Sequence, residues 1–259
     1  MTAPIPANCL VPNAQDNNSA AILAADGRTL YQVQPFTRCT NGGIATSLVR
    51  APDADLYGDG IRGAHGGSGL SSIGGTIRVG ELRPGQTGPR HALKLAMYFK
   101  DFYKCTTLAA CFRWPAANAD SYAVGFYGTD PTNPNVSNSA MTMGALLAIP
   151  PNVDINALGL ETEPAKQIAW TLQNYGGYVA DDTYLPAFDF MTENGPDGSL
   201  TDQFKADYGF EFVQPSTANV GWRRDMQRIL PKLSVVNNNG PGAIGGGGTP
   251  RQPLAAAVP

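Results

Sequence analysis

The chain has 259 residues, enough for one large all-β domain or two small ones, and charged residues make up only 15% of it, against roughly 25% in an average soluble domain. Its 30 glycines and 21 prolines disfavour long solvated helices and favour short strands joined by turns, while a hydrophobic share of 42% excludes wholesale disorder. A net charge of -3 removes the electrostatic basis for non-specific nucleic-acid or anionic-membrane binding, and no apolar run approaches the ~18 residues of a membrane span.

Residues 1–27 read as an irregular arm. Thr2–Pro12 has neither a basic start nor an apolar stretch, so no signal peptide shows, and the expectation is a mature form behind an added Met or a fragment. Thr29–Phe36 alternates as a half-buried strand does. Ala51–Gly60 is a turn-rich acidic loop in which Asp53, Asp55 and Asp59 offer hard oxygen ligands of the kind Ca²⁺ takes. Their spacing departs from the EF-hand loop, and a solvated acidic turn is the alternative.

His65–Gly75 carries five glycines in eleven residues. Ser68 suggests a nucleophile elbow, but the G-x-S-x-G pattern fails at Leu70. A turn permitting close backbone approach is the better reading, with His65 able to line a cleft. Thr76–Leu82 then alternates, placing Ile77, Val79 and Glu81 on one face and Arg78 on the other. In the next strand His91, Leu93, Leu95 and Met97 point one way and Ala92, Lys94 and Ala96 the other.

Phe112–Ala116 and Met143–Ile149 are further strand candidates, each closed by proline. One helix is well signalled: Thr162 caps it, Glu163 and Pro164 suit the first turn, Ala165, Ile168, Ala169, Leu172 and Tyr175 recur at helical spacing, and Gly176 ends it. Gly177–Ala180 returns as a strand whose end delivers Asp181 and Asp182. Shorter helices are expected over Leu200–Tyr208, capped by Ser199, and Gly221–Leu230, capped by Asn219. Residues 237–259 form a Gly/Pro-rich tail packed on the domain as a strap. The pattern predicts an all-β or β-rich α+β fold for residues 28–236, an antiparallel jelly-roll-like β-sandwich with a few short covering helices.

The four cysteines show no zinc-type grouping. Their even number predicts two disulfides, Cys105 with Cys111 around a small loop and Cys9 with Cys39 by default, in a secreted protein. The alternative is four free thiols in a cytosolic chain.

For chemistry, Glu81 and His91 interrupt apolar strand faces, where burial shifts pKa values, and Asp181 ends a strand. These three are the candidate catalytic residues: two carboxyls as acid/base or nucleophile and His91 as orienter or proton shuttle. The competing reading pairs Glu81 with Arg78 or Arg83 and leaves His91 a satisfied core histidine. His65, Arg78, Trp114 and Asp182 are candidate substrate contacts, and aromatics such as Tyr122, Phe126 and Tyr127 suit stacking on sugar faces or filling a core. No cofactor is expected beyond Ca²⁺ at the acidic loop.

The ordered segments GAHGGSGLSSIGGTIRVGEL (63–82), RHALKL (90–95), FRWPA (112–116), MGALLAIPP (143–151), LGLETEPAKQIAWTLQNYGGYVADDT (158–183) and NNGPGAIGGGGTPRQPLA (238–255) resemble a family of uncharacterised bacterial proteins with the look of secreted ones. The resemblance covers most of the chain. It implies a common site at Arg78 with Glu81, His91–Leu93, Trp114–Ala116, Met143–Ala145, and Tyr175 and Gly176 with Asp181, without assigning an activity. The residues themselves point to a secreted glycan-active protein, a glycoside hydrolase or polysaccharide lyase working through Glu81, His91 and Asp181 on an extracellular glycan. A non-catalytic carbohydrate-binding or structural module of the cell surface or of an extracellular fibre is the alternative.

Overall fold

Turn residues cut this chain into strands of two to six residues, too short to bury much surface singly, so they assemble into sheets. The computed structural model describes residues 3–11, 17–215 and 217–256. The expectations for Met1, for part of the N-terminal arm and for the last three tail residues lie outside them.

The first sheet holds β1 (Ala20–Leu23), β2 (Thr29–Gln34), β3 (Val49–Arg50) and β4 (Ala54–Asp55), with β2 antiparallel to the other three. Asp26 closes the β1–β2 turn: its carboxylate accepts from the backbone N–H of Arg28 at 2.9 Å and of Thr29 at 2.8 Å. β1 thus lies inside the stretch that reads as an arm.

The second sheet has the order β11-β6-β7-β5-β8, built from β5 (Leu93–Met97), β6 (Leu146–Ala148), β7 (Gly177–Asp182), β8 (Phe188–Phe190) and β11 (Ser234–Val235). A hairpin of β9 (Asn194–Gly195) and β10 (Gly198–Ser199) follows β8. β5 and β7 run parallel, and the remaining neighbours antiparallel. β5 is buried on both faces, Leu93 and Leu95 on one and Lys94 and Ala96 on the other, as befits an interior strand with a parallel partner. Among the described residues four α-helices complete the fold: α1 (Ala123–Phe126), α2 (Glu163–Asn174), α3 (Leu200–Tyr208) and α4 (Gly221–Ile229). Ile168 and Leu172 of α2 join Leu93, Leu95 and Val179 in one core, each such burial stabilising by roughly 1.5–3 kcal/mol.

The fold is therefore β-rich α+β. The parallel β5–β7 pair, joined through a long crossover containing β6 and α2, departs from the pairing of an antiparallel jelly roll. Thr76–Leu82 is not a strand: Ile77 makes one bridge to Thr192, after which Gly80, at φ +97°, and the Arg78–Glu81 hydrogen bond fold the chain into a turn. Phe112 likewise makes only a single bridge, to Met143. Cys105 and Cys111 are joined, whereas Cys9 and Cys39 are free thiols, which corrects the second expected disulfide. Cys39 follows Arg38, whose backbone bridges Val11; regular antiparallel continuation sets Leu10, not Cys9, opposite Cys39. The tail lies against the domain through Ala255 N–H to the Arg90 carbonyl (3.0 Å) and Tyr175 O–H to the Pro253 carbonyl (2.5 Å). Among the described residues no helix is long and apolar enough to cross a membrane.

Candidate acid/base site

β5 and β7 end side by side, and the register between them shifts there: Leu95 faces Val179, but Ala96 faces Asp181, leaving Ala180 as an extra residue. Strict alternation would carry Asp181 onto the core face with Val179. The bulge instead sets it on the face of Ala96 and Lys94, at the carboxyl end of the parallel pair.

The glycine-rich segment lies over this end, closed on itself by hydrogen bonds from His65 N–H to the Leu70 carbonyl (3.0 Å) and Gly69 N–H to the His65 carbonyl (2.9 Å), and tied to Ala117, whose N–H donates to the Ser68 carbonyl (2.8 Å). Gly67 has φ +64°, and a Cβ there would stand 3.0 Å from Asp120 Oδ1 and 3.1 Å from Asp181 Oδ1. The two carboxylate oxygens are thus no more than about 6 Å apart.

Burial, and after it the charge of Asp120, raises the Asp181 carboxyl to about 7. Asp181 accepts from Asn17 Nδ2 and from the Asp182 N–H, both at 3.0 Å. Burial also raises Asp120, against the Tyr127 hydroxyl that donates to it at 2.5 Å. Burial, aided by the charge of Lys94, lowers His65 to about 3, so its ring is neutral; its Nδ1 is 3.8 Å from Asp181 Oδ2, beyond direct hydrogen-bond reach. Lys94, lowered to about 7 by burial, donates from Nζ to the Ser71 carbonyl at 2.7 Å. Burial and then the Asp120 charge push the phenols of Tyr122 and Tyr127 well above their ordinary range, so both remain donors.

Asp182 is architectural. Its Oδ1 accepts from the N–H groups of Phe99 and Tyr184, both at 3.0 Å, and its Oδ2 from the Tyr122 hydroxyl at 3.1 Å. That anchoring holds Tyr184 at φ +58°, a left-handed conformation rare outside glycine. Tyr122 is 41% and Tyr184 60% exposed, and the Tyr184 ring stacks on Phe126 with centroids 4.8 Å apart. An aromatic group thus stands at the rim of the carboxylates.

Glu81 and His91 form a separate pair. Glu81 Oε2 accepts from the Arg78 N–H at 2.7 Å and lies 3.1 Å from His91 Nε2, while His91 Nδ1 lies 3.0 Å from the Ala92 carbonyl. Burial opposes a charge on this ring, but the Glu81 hydrogen bond and charge outweigh it and hold His91 above its ordinary value. Oxygen atoms at both nitrogens favour the protonated form of the ring, in which each nitrogen donates. His91 precedes the start of β5, whereas Asp181 pairs with Ala96. Five residues at ~3.3 Å each put the pair about 16 Å from Asp181 along the sheet, so the three candidate catalytic residues do not converge. Arg78, exposed, stays with Glu81.

Trp114 lines a different pocket, with Tyr178 and Lys94. Ser68 is fully buried, its hydroxyl near the Leu70 N–H and the Gly66 carbonyl, so no serine nucleophile is presented. The acidic loop is not a calcium site: Asp55 pairs with Arg28 and Asp53 with Arg50, while the Asp59 carboxylate accepts from the Ile61 N–H. No group of three or more His, Cys, Asp or Glu among the described residues can hold a metal ion.

Residue-level reading missed Asp120, Lys94 and Gly67 as parts of a site, and left Tyr127 among the aromatics that could stack on sugars or fill a core. Asp120 comes from an irregular loop with no periodic signal. Lys94 alone had one, standing between Ala92 and Ala96 on a strand whose other face is apolar from Leu93 to Met97. No family model, curated protein or solved structure matches the chain. Chemically, two close carboxyls in a buried setting share protons in coupled steps, so near neutral pH one can donate while the other accepts.

Proposed function

We propose that the chain is a secreted glycan-active hydrolase whose acid/base pair is Asp120 and Asp181. The observation that carries the reading is the approach of those two carboxyls around Gly67, one of them about half protonated near pH 7. An oxygen-to-oxygen separation of at most about 6 Å is compatible with retention, which needs carboxyls about 5–5.5 Å apart. In this scheme Asp181 gives its proton to the leaving glycosidic oxygen as the half-buried Asp120, which acts in its carboxylate form, attacks the anomeric carbon. Water then enters, deprotonated by Asp181, and releases the sugar from Asp120. Tyr122 and Tyr184 offer the sugar an aromatic face.

The lyase reading called on Arg78 to neutralise a uronate carboxyl. Arg78 stays with Glu81 at the opposite end of β5, which favours hydrolysis. The Cys105–Cys111 disulfide supports an oxidising compartment, and the resembled family's Met-Gly-Ala and Tyr-Gly-x-x-x-x-Asp segments supply Met143 and Asp181 to this place. The test is reducing-end release from a panel of extracellular polysaccharides by Asp120→Asn and Asp181→Asn, with circular dichroism reporting the fold. Each should lose at least ~10³-fold in kcat with the fold intact. Unchanged turnover in either would overturn the assignment, and no turnover by the parent protein on any glycan would favour the non-catalytic module.

A further inference from the structure

Beside the carboxylates, and separated from them by Lys94, lies a pocket of about 210 Å³. Its apolar wall is Ile61, Leu70, Trp114, Tyr178 and Ile244, and Lys94 and Ser71 also line it. We propose that this pocket is a subsite for a hexuronate unit, its ring against Trp114 and its carboxylate on the Lys94 ammonium. The inference rests on the glycan reading above and names the substrate class.

The size is right for one ring. At ~30 Å³ per water the space holds roughly seven waters, the scale of a single sugar and too little for a disaccharide. The chemistry of the walls fits too: Trp114 and Tyr178 meet edge to face at 6.5 Å, and aromatic rings of this kind take the apolar face of a pyranose. The anion requirement comes from Lys94. It is 3% exposed and uses one of its three donors on the Ser71 carbonyl, and among the described residues no carboxylate lies within ion-pair distance of it. A buried ammonium without an anion is costly, and a bound carboxylate would supply what the protein does not. The charged and titratable groups facing Lys94 are Asp181 from β7, which favours its charge, and His65 from the glycine-rich segment; Asp59 stands at the pocket lining. With Lys94 at about 7, the anion-binding form is present below neutrality and lost above it.

The test is titration of the Asp120→Asn protein, which cannot turn substrate over, with oligogalacturonate, with the neutral galactose oligomer and with benzoate, followed by calorimetry and tryptophan fluorescence at pH 6 and pH 9. The uronate should bind at least tenfold tighter than the neutral oligomer and than benzoate at pH 6, and lose at least tenfold by pH 9. Lys94→Met should erase the preference. Should that variant fail to fold, Trp114→Phe, which should weaken uronate binding severalfold and abolish the fluorescence change, and the pH comparison carry the test. Equal affinity for both oligomers, no change between the two pH values, or preference for benzoate would each overturn the proposal. Tight uronate binding by a chain that hydrolyses no glycan would leave the subsite standing while the catalytic reading falls; hydrolysis of neutral glycans alone would do the reverse.

Discussion

Asp120 and Asp181 reach one space from different segments, and the residue that leaves that space open is Gly67, where a Cβ would meet both carboxylates and the Met143 methyl at 3.0–3.1 Å. Gly67→Ala should therefore push the carboxyls apart as well as strain a backbone at φ +64°. Gly69 is the internal comparison: its φ is +66°, but a Cβ there touches only Ala117, at 3.6 Å. Gly69→Ala should lose about 1 kcal/mol of stability. Gly67→Ala should lose about 2–3 kcal/mol through added overpacking and also lower the midpoint at which Asp181 titrates. Equal effects of the two variants in denaturant unfolding would contradict the placement of the carboxylates.

Asp181 and His65 make opposite contributions to the pH dependence of stability. Between about pH 4 and pH 7 the folded state holds a proton on Asp181 that the unfolded chain has lost, so this group's contribution falls as pH rises. Between about pH 3 and pH 6.5 the unfolded chain holds a proton on His65 that the folded state excludes, so that contribution rises with pH. Where the windows overlap, the two slopes, each up to about 1.4 kcal/mol per pH unit, largely cancel. Asp181→Asn should unmask a stability that climbs from pH 3 to 6.5, and His65→Gln one that declines from pH 4 to 7. Parallel stability–pH curves for the parent and both variants would show that neither group is perturbed as described.

Much of the second sheet was legible because its signals are local. The periodicity of α2, the Ser199 cap of α3, which accepts from the Asp202 N–H at 3.4 Å, and the delivery of Asp181 and Asp182 by β7 all follow from neighbouring residues. The site was not legible, because it depends on one extra residue. The bulge at Ala180 moves Asp181 to the other face of the sheet and toward Asp120, a loop residue 61 positions earlier in the chain. Glu81 was misplaced for a related reason: Thr76–Leu82 alternates like a strand, yet Gly80 lets it turn. Glu81 meets His91 next to the Arg78 backbone, distant from Asp181.

The cysteines divide by geometry. Cys105 and Cys111 are 5.1 Å apart at Cα, while Cys9 and Cys39 are unpaired and at least partly exposed. Alkylation of the native protein should label Cys9 and Cys39 and spare the other two, and peptide mapping without reductant should recover Cys105 joined to Cys111. The bridge closes a loop of six residues, for which loop-closure entropy gives about 2 kcal/mol. The Cys105→Ala/Cys111→Ala double variant should fold and unfold at correspondingly lower denaturant. Labelling of all four thiols would instead place the chain in a reducing compartment.

Asp225 carries the start of α2, a role that sequence spacing assigned to Thr162. The Thr162 side chain makes no cap; its N–H and hydroxyl both donate at 2.8 Å to Asp225 Oδ2, and the Glu161 N–H donates at 2.9 Å to Oδ1. Arg228, one turn along α4, donates to the same oxygen at 3.0 Å. The carboxylate is fully buried, so the first turn of one helix is tied to another by a single anion. Removing it in Asp225→Ala leaves two part-buried N–H groups without their acceptor and leaves Arg228 the Gly159 carbonyl and Glu161, with an expected loss of about 2–4 kcal/mol. Asp225→Asn retains the acceptor at one position but sets an amide against donors, and should lose somewhat less. Thr162→Val deletes one of the four donors while leaving the carboxylate in place, for about 1 kcal/mol. If Thr162→Val proved the costlier change in equilibrium unfolding, the helix would be held by its own cap after all.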